Sequence, residues 1–149
     1  MLSAVSAGGS RFWRVAYRVL YRILALLDPL VRGWWRRFGL GNVVELTVVH
    51  RQGSGERVRL VGLLRADSQR YVGHPNGHVG WTRDLLAAGE GRLGYGAGGV
   101  ERVTATLLTD GSEREAAIRA TNQHPFPGNL VYRLGRRHTR AVGVFFRLE

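Results

Sequence analysis

Cysteine and lysine are both absent from this chain of 149 residues. Without cysteine the protein has no disulfide, no thiolate metal ligand and no cysteine nucleophile, and the redox compartment stays open. Without lysine, all 22 basic residues are arginine, whose planar guanidinium group binds phosphates and carboxylates through paired hydrogen bonds. Because aspartate and glutamate number only 11, the formal net charge is +11, which predicts an anionic partner.

Long apolar runs are also missing. A bilayer span needs about 20 apolar residues, and the best candidate, Val15–Leu27, is interrupted by Arg18 and Arg22. The N-terminal region also lacks the small-residue cleavage pattern of a signal peptide, so we expect neither a membrane span nor a secretory leader. Hydrophobic residues make up 44% of the chain and charged residues 22%, which is typical of one folded domain with one core.

The positive charge is concentrated at the N-terminus, where residues 1–40 contain seven arginines and one acid, Asp28. Asp28 and Pro29 predict the end of one helix and the start of a second, since aspartate caps a helix and proline fits its first turn. Gly39 is expected to end the second helix. We therefore divide the chain into basic amphipathic helices at 1–40 and a body at 41–149.

The first of these helices has an arginine stripe and a separate apolar side. The stripe consists of Arg11, Arg14, Arg18 and Arg22, spaced by three or four residues. The apolar side chains around it include Phe12, Val15, Val19, Ile23, Leu26 and Leu27, with Trp34 and Trp35 on the second helix. This pattern fits helices that lie on an anionic membrane surface. It equally fits helices that pack on the body or on a second subunit, with the arginines in water.

The body alternates short strands with few helices. The predicted elements are strands at 43–50, 57–65, 70–74, 92–96 and 100–108, helices at 81–88 and 112–121, a loop at 122–129 and a final strand at 141–148. Such an order predicts an α+β fold, an antiparallel sheet closed or half-closed into a barrel, rather than regular βαβ units. The glycines of "GYGAGG" lack the strand-to-helix context of a dinucleotide site and indicate a turn.

The turn "HRQGSGERVR" is unusual because arginines surround a Gly-Ser-Gly sequence. Backbone N–H groups of such a turn can form an anion-binding nest, to which Ser54 adds a hydroxyl donor. Arg51, Arg57 and Arg59 would add positive charge. An ordinary hairpin with hydrated arginines explains the same residues.

Four stretches together resemble the deazaflavin-dependent nitroreductase family: "TVVHRQGSGERVR", "RYVGHPNGHVGWTRDLLAAGEGRL", "VERVTATLL" and "AVGVFFRLE". The resemblance covers about residues 40–149 and is most specific at Trp81–Gly89. It implies a split β-barrel related to flavin-mononucleotide-binding barrels. It also implies coenzyme F420, a deazaflavin with a phosphate and an acidic tail, as the cofactor, and hydride transfer to a quinone-like or nitro-type acceptor.

Particular residues acquire expected roles from this resemblance. The cofactor contacts it implies are Arg51, Ser54, Gly55, Arg57, Arg59, His74, Asn76, Gly77, Trp81, Arg83 and Asp84. Tyr132 and His74 are the candidate proton donors, and Phe126 shares the stretch expected near the substrate. Trp81 suits the barrel core equally well, and Arg83 suits a hydrated helix face. A metal at His74 and His78 is not expected, because no cysteine or nearby acid joins them.

Several positions depart from the family pattern. His50 stands where glycine is usual, Gln52-Gly53 replaces a second basic residue, and Asp84 stands where asparagine is usual. Gly143 replaces an expected proline, and Leu86 a residue that is often basic. A lost base and a gained acid weaken the hold on an anionic cofactor, so a degenerate barrel that binds a lipid or fatty acid without catalysis is the alternative function.

The remaining expectations concern partners and location. A nucleic-acid partner is suggested only by the charge of +11, and no recognition helix or aromatic RNA-binding platform is readable, so it is not expected. The family includes membrane-associated members, so we expect a cytoplasmic protein that contacts the anionic inner face of the plasma membrane. A homodimer is compatible with the sequence.

Overall fold

A computed structural model describes residues 3–38 and 41–149, and Gly39 lies outside them. The helices are α1 Ser3–Leu26, α2 Asp28–Phe38, α3 Gly80–Ala88, α4 Ser112–Ala120, α5 Gly128–Leu134 and α6 Arg136–Val142. The strands are β1 Val43–Val49, β2 Glu56–Gly62, β3 Leu64–Ala66, β4 Gln69–His74, β5 Glu90–Gly94, β6 Val100–Leu107 and β7 Val144–Leu148.

The seven strands form one curled antiparallel sheet in the order β2-β1-β5-β6-β7-β4-β3. Strands β2 and β3 are the two ends of this order, so the sheet is a half-barrel. The predicted fold class, an α+β split β-barrel, is confirmed. The order arises because β1 pairs with β2 on one side and with β5 on the other, while β4 pairs with β7 near the end of the chain.

The alternation predicted for β1 explains the inner core. Val44, Leu46 and Val48 are buried, and they pack with α3 residues Trp81 and Leu85. The neighbouring phenylalanines of β7 point to opposite faces, as successive strand residues must. Phe146 joins this inner cluster, whereas Phe145 joins a second cluster beneath α4. The half-barrel is therefore filled on its inner face and covered on its outer face.

The two N-terminal helices lie against the body. Tyr17 of α1 is fully buried, and its hydroxyl donates to the backbone carbonyl of Val131, 3.4 Å away. On α2, the indole N–H of Trp35 donates to the carbonyl of Val43 over 2.8 Å. Arg32 bridges Asp28, at 2.6 Å, and Glu45 of β1, at 3.3 Å. One side of each helix therefore contacts the rest of the chain.

The C-terminal region differs most from the sequence-based expectation. The stretch 122–129 is not wholly loop, because a 3-10 turn occupies Thr121–Gln123 and α5 begins at Gly128. The final strand begins at Val144 rather than at Ala141, since Ala141 and Val142 complete α6. The predicted strand at 57–65 is divided into β2 and β3 at Leu63. The predicted break at Asp28 is confirmed.

Among the described residues, no helix combines the length and apolar character that crossing a bilayer requires.

Candidate functional site

The turn between β1 and β2 presents the Gly-Ser-Gly sequence at the surface. The N–H of His50 donates to the carbonyl of Gly55 over 3.0 Å, which closes the turn. Gly53 and Gly55 have φ angles of +80° and +111°, a backbone region that side chains disfavour. Ser54 is exposed between them. The two glycines are therefore needed for the shape of the turn, independently of any ligand.

Arg51 and Arg57 converge on a buried carboxylate. Asp84 of α3 is only 1% exposed, and its two oxygens each accept a hydrogen bond of 2.7 Å, from Arg51 Nη1 and Arg57 Nε. The backbone N–H of Arg51 also points to Asp84, at 3.3 Å. His50 lies 3.8 Å from the same carboxylate. The structure therefore brings together three candidate cofactor-binding residues, Arg51, Arg57 and Asp84, and the carboxylate of Asp84 binds both arginines.

Gly80 makes room for one of these guanidinium groups. A Cβ atom at this first residue of α3 would lie 2.9 Å from Arg57 Nη1 and 3.0 Å from its Cζ. The guanidinium therefore lies against the start of α3. Because Asp84 engages only its Nε, and no described residue accepts a hydrogen bond from its two Nη groups, Arg57 keeps donors for a further acceptor. Its side chain is about a quarter exposed, at 24%.

The charge of this cluster follows from the state of Asp84. Burial alone would raise the pKa of the carboxyl, but hydrogen bonds from Arg57 and Arg51 outweigh burial and lower it. Asp84 is thus ionised at neutral pH and compensates one of the two arginines. The Arg51–Asp84–Arg57 cluster carries a net charge of +1, which still favours an anion.

The other predicted contacts of this region are more dispersed. Arg59 is exposed and donates to the carbonyl of its own neighbour, Val58, over 3.0 Å. Arg83 is exposed on α3, next to Asp84 in sequence. Neither forms an ion pair with a residue that the structure describes. Both add positive charge to this region.

The second group of candidates lies between the loop after β4 and the C-terminal helices. His74 and Tyr132 are both buried, and they are linked through Tyr21 of α1. The hydroxyls of Tyr21 and Tyr132 are 2.9 Å apart, and the Tyr21 ring lies 4.7 Å from the His74 ring between centroids. The side-chain amide of Asn76 donates to the backbone carbonyl of Arg14 on α1, at 2.8 Å. Helix α1 therefore covers this group directly.

The protonation states in this layer are set by burial. Burial lowers the pKa of His74 to about 4, so its imidazole is neutral at pH 7. Its Nδ1 accepts the backbone N–H of Asn76 at 3.2 Å, which places the ring proton on Nε2. Burial also raises the pKa of Tyr21 to about 12, and it raises that of Tyr132 well above the usual value. Tyr132 thus keeps its phenolic proton at neutral pH, and His74 carries no imidazolium proton there.

Several members of this aromatic layer were not predicted from the sequence. They are Tyr17, Tyr21, His124 and His138. His124 stacks on Tyr132 with centroids 4.5 Å apart, and His138 Nε2 donates to the amide oxygen of Asn76 over 2.8 Å. The spacing of Tyr17 and Tyr21, four residues apart on one helix side, was the available signal. Nothing in the sequence marked the two histidines.

The fold fixes the positions of two further candidates. Trp81 is buried in the inner core, as one of the two sequence-based readings expected. Gly77 has a φ of +88°, and a Cβ there would lie 3.1 Å from the carbonyl oxygen of Val142. Within the described residues, no three histidine, aspartate or glutamate side chains are grouped as metal ligands.

Comparisons with known proteins support the fold. No family model matches the chain, and no curated protein matches it in sequence. Among solved structures, an F420-H2 dependent reductase (FDR-A) superimposes with a TM-score of 0.57 at 16% identity, over 72% of this chain and 94% of that one. HutZ, the heme storage protein from Vibrio cholerae, gives 0.53 at 15% identity, over 83% and 89%. A domain-swapped dimer gives 0.55 at 17% identity, over 72% and 80%. The chain is a split-barrel protein, and these identities carry the likeness no further than the fold.

Proposed function

We propose that the protein is an oxidoreductase that transfers a hydride from reduced coenzyme F420 to a quinone-like or nitro-type acceptor. One observation carries the proposal: Arg51 and Arg57 are preset by the buried Asp84 beside the Gly-Ser-Gly turn, on a fold shared with an F420-H2 dependent reductase. The sequence resemblance at Trp81–Gly89 supports the same cofactor.

The residues at the turn fit the anionic part of this coenzyme. The cluster retains a charge of +1, and Arg59 and Arg83 lie near it without an ion pair among the described residues. Arg57 presents its two Nη groups against Gly80, where a Cβ would fill the space. Arg51, Ser54, Gly55, Arg57, Arg59 and Arg83 would hold the phosphate and the acidic tail, and Asp84 would orient two of them.

The loop after β4 connects this anion site to the aromatic layer. Only five residues lie between His74 and Gly80, so the two groups are at most about 21 Å apart along the chain. The deazaflavin ring, with its tail at the turn, would face His74, Asn76, Gly77 and Trp81. The coenzyme supplies the hydride, while the protein orients the partners and excludes water. Tyr132 is the residue that would donate a proton to the reduced acceptor.

Binding and turnover test the proposal separately. Deazaflavin fluorescence titrations should show binding that Arg57→Gln weakens by at least about tenfold, consistent with a lost charged hydrogen bond. The matched control is Arg102→Gln, an exposed arginine of β6 that pairs with Glu90. Tyr132→Phe should slow reduction of a soluble quinone while leaving coenzyme affinity unchanged. If the wild-type protein does not change the coenzyme spectrum at all, the proposal fails.

A non-catalytic barrel that binds a lipid or fatty acid is the second candidate. Two observations favour it: the negative charge of Asp84 compensates one positive charge of the turn, and α1 covers His74 and Tyr132. This candidate predicts a silent coenzyme titration together with saturable displacement of a fluorescent fatty acid. The coenzyme titration therefore separates the two candidates.

The acceptor is proposed to reach the protein from an anionic membrane. The side of α1 turned away from Tyr17 exposes Phe12, Val15, Val19, Ile23 and Leu26. Arg11, Arg14, Arg18 and Arg22 run beside it and form no ion pair with a described residue. A surface that is both apolar and cationic suits the inner leaflet of the plasma membrane. The domain-swapped dimer of similar fold makes a homodimer part of the proposal as well.

A further inference from the structure

Helix α5 and the segment just before it expose an apolar ridge that the sequence did not reveal. Phe126, just before the helix, is 77% exposed, and Leu130 and Leu134 are 43% and 64% exposed. Leu130 and Leu134 are four residues apart, so they share one side of α5, and Phe126 lies two residues before the helix begins. Tyr132, on the other side, is buried. The ridge is consequently the outer face of an element whose inner face is already packed.

Helices α1 and α5 contact each other through two tyrosines of α1. Tyr17 donates to the carbonyl of Val131, and Tyr21, four residues further along α1, lies within hydrogen-bond distance of the hydroxyl of Tyr132. Trp13 approaches Gly135, which follows α5. Both helices direct tyrosines into the same aromatic group and carry exposed apolar side chains on their other side. The α5 ridge and the outer side of α1 therefore belong to one helical layer that lies over this group.

This layer carries positive charge and no acid. Residues 3–27 and 124–142 contain no aspartate or glutamate, and they contain the eight arginines Arg11, Arg14, Arg18, Arg22, Arg133, Arg136, Arg137 and Arg140. Among these, only Arg140 pairs with a carboxylate in the described part of the chain, that of Glu115 on α4. Arg133 and Arg137 are exposed, and they stand one residue before and three residues after Leu134 in the sequence. Exposed apolar residues thus alternate along this segment with arginines that pair with no described carboxylate.

We propose that the α5 ridge and the outer side of α1 form one composite face that binds an anionic lipid leaflet. The inference rests on the membrane part of the proposed function and is independent of its redox part. Membrane contact is then not a property of residues 1–40 alone, since the body supplies Phe126, Leu130 and Leu134. The covered group around Tyr132 lies beneath this face, on the side from which a lipid-soluble acceptor arrives.

Charge argues for a leaflet over a second copy of the chain. In a two-fold contact through this face, the unpaired arginines of each copy would meet those of the other, with no carboxylate between them. An anionic leaflet offers phosphates to the same arginines and hydrocarbon to the leucines. Each arginine near such a surface adds electrostatic attraction to the leaflet.

The absence of cysteine makes a sharp experiment available. Leu130→Cys and Val19→Cys each create a single labelling site for an environment-sensitive dye, on α5 and α1 respectively. Leu86→Cys is the matched control, because Leu86 is exposed to a similar extent, 47%, on α3. Each labelled full-length protein is mixed with phosphatidylcholine vesicles with or without phosphatidylglycerol. We expect a blue shift and quenching by lipid-borne quenchers at positions 130 and 19, only with phosphatidylglycerol, and no change at position 86.

Affinity for the same vesicles provides the second measurement. A Phe126→Ala, Leu130→Ala, Leu134→Ala variant should partition at least about tenfold less strongly, since it loses the apolar side chains that would enter the leaflet. Val100→Ala, at a site that is 74% exposed in β6, should bind like the wild type. The circular dichroism spectra of both variants should match that of the wild type.

The outcomes separate the two proposals. If position 19 responds and position 130 does not, the composite face is wrong, although α1 still binds the membrane. If neither responds, both membrane proposals fail and the redox proposal is untouched. If the triple variant keeps full vesicle affinity but loses a concentration-dependent dimer in sedimentation, the face is an interface between copies, which also overturns the inference.

Discussion

Replacing Asp84 by asparagine tests whether the cluster at the turn is an anion site restrained by its own acid. The substitution keeps the shape of the side chain and removes one negative charge from between Arg51 and Arg57, each 2.7 Å away. The cluster then changes from a net +1 to +2. Affinity for coenzyme F420 should rise, while the free energy of unfolding should fall.

The magnitudes follow from Coulomb's law and from burial. For a ligand anion about 8 Å from residue 84, at effective dielectric constants of about 20 to 80, one charge is equivalent to about 0.5–2 kcal/mol. Affinity should therefore increase about 2- to 30-fold. Asparagine keeps one acceptor oxygen but points an amide N–H group at an arginine. We expect a stability loss of about 1–3 kcal/mol. Removing one partner of a buried ion pair typically costs more, about 3–5 kcal/mol.

Fluorescence titrations at several salt concentrations measure the affinity, and urea denaturation measures the stability. The salt dependence of binding should become steeper in Asp84→Asn, because more counterion charge is displaced. Glu56→Gln is the matched control: Glu56 lies at the same turn but is half exposed and pairs with Arg92. Removing the charge of Glu56 should change the coenzyme affinity and the free energy of unfolding much less. Unchanged or weaker coenzyme binding by a folded Asp84→Asn protein would refute the role given to the two arginines.

Three further predictions concern the layer around the tyrosines. Gly62→Ala should destabilise the fold by about 1–3 kcal/mol, because a Cβ at residue 62 would collide with the His124 ring. Gly33 on α2 has open space around it, so Gly33→Ala should stabilise the fold by about 0.5–1 kcal/mol. Urea denaturation compares the two variants. Burial lowers the pKa of His74 and of His124 from 6.5 to about 4, so unfolding takes up protons between these pH values. The free energy of unfolding should therefore fall as the pH drops from 6.5 to 4, by about 3 kcal/mol for each histidine. Thermal melts across that range measure this, and they should show no such fall if the rings are hydrated. Tyr21→Phe should cost about 1–2 kcal/mol, because the buried hydroxyl of residue 132 loses its partner; an unchanged unfolding midpoint would contradict that contact.

The fold could be predicted because its signals are local. Alternation in β1 marks the buried Val44, Leu46 and Val48, and Gly89 with a φ of +69° ends α3 where the sequence indicates. The pairing of Arg51 and Arg57 with Asp84 could not be predicted. Those arginines are 33 and 27 residues from their acid, and 22 arginines compete for 11 carboxylates in the chain. The sequence shows that Asp84 departs from the family pattern, but the partners of Asp84 depend on the packing of α3 against β1 and β2.

The missed helices α5 and α6 show how tertiary contact overrides local signals. The segment from Gly128 to Val142 contains five charged or histidine side chains and a glycine in its middle, a composition that by itself indicates a loop. That glycine, Gly135, is buried, and a Cβ there would lie 2.6 Å from the Tyr17 hydroxyl and 3.0 Å from the Trp13 ring. The residue that weakens the helical signal is therefore the one that lets α1 approach. A reading that treats residues 1–40 as separate from the body cannot find α5, because the packing that supports α5 comes from α1.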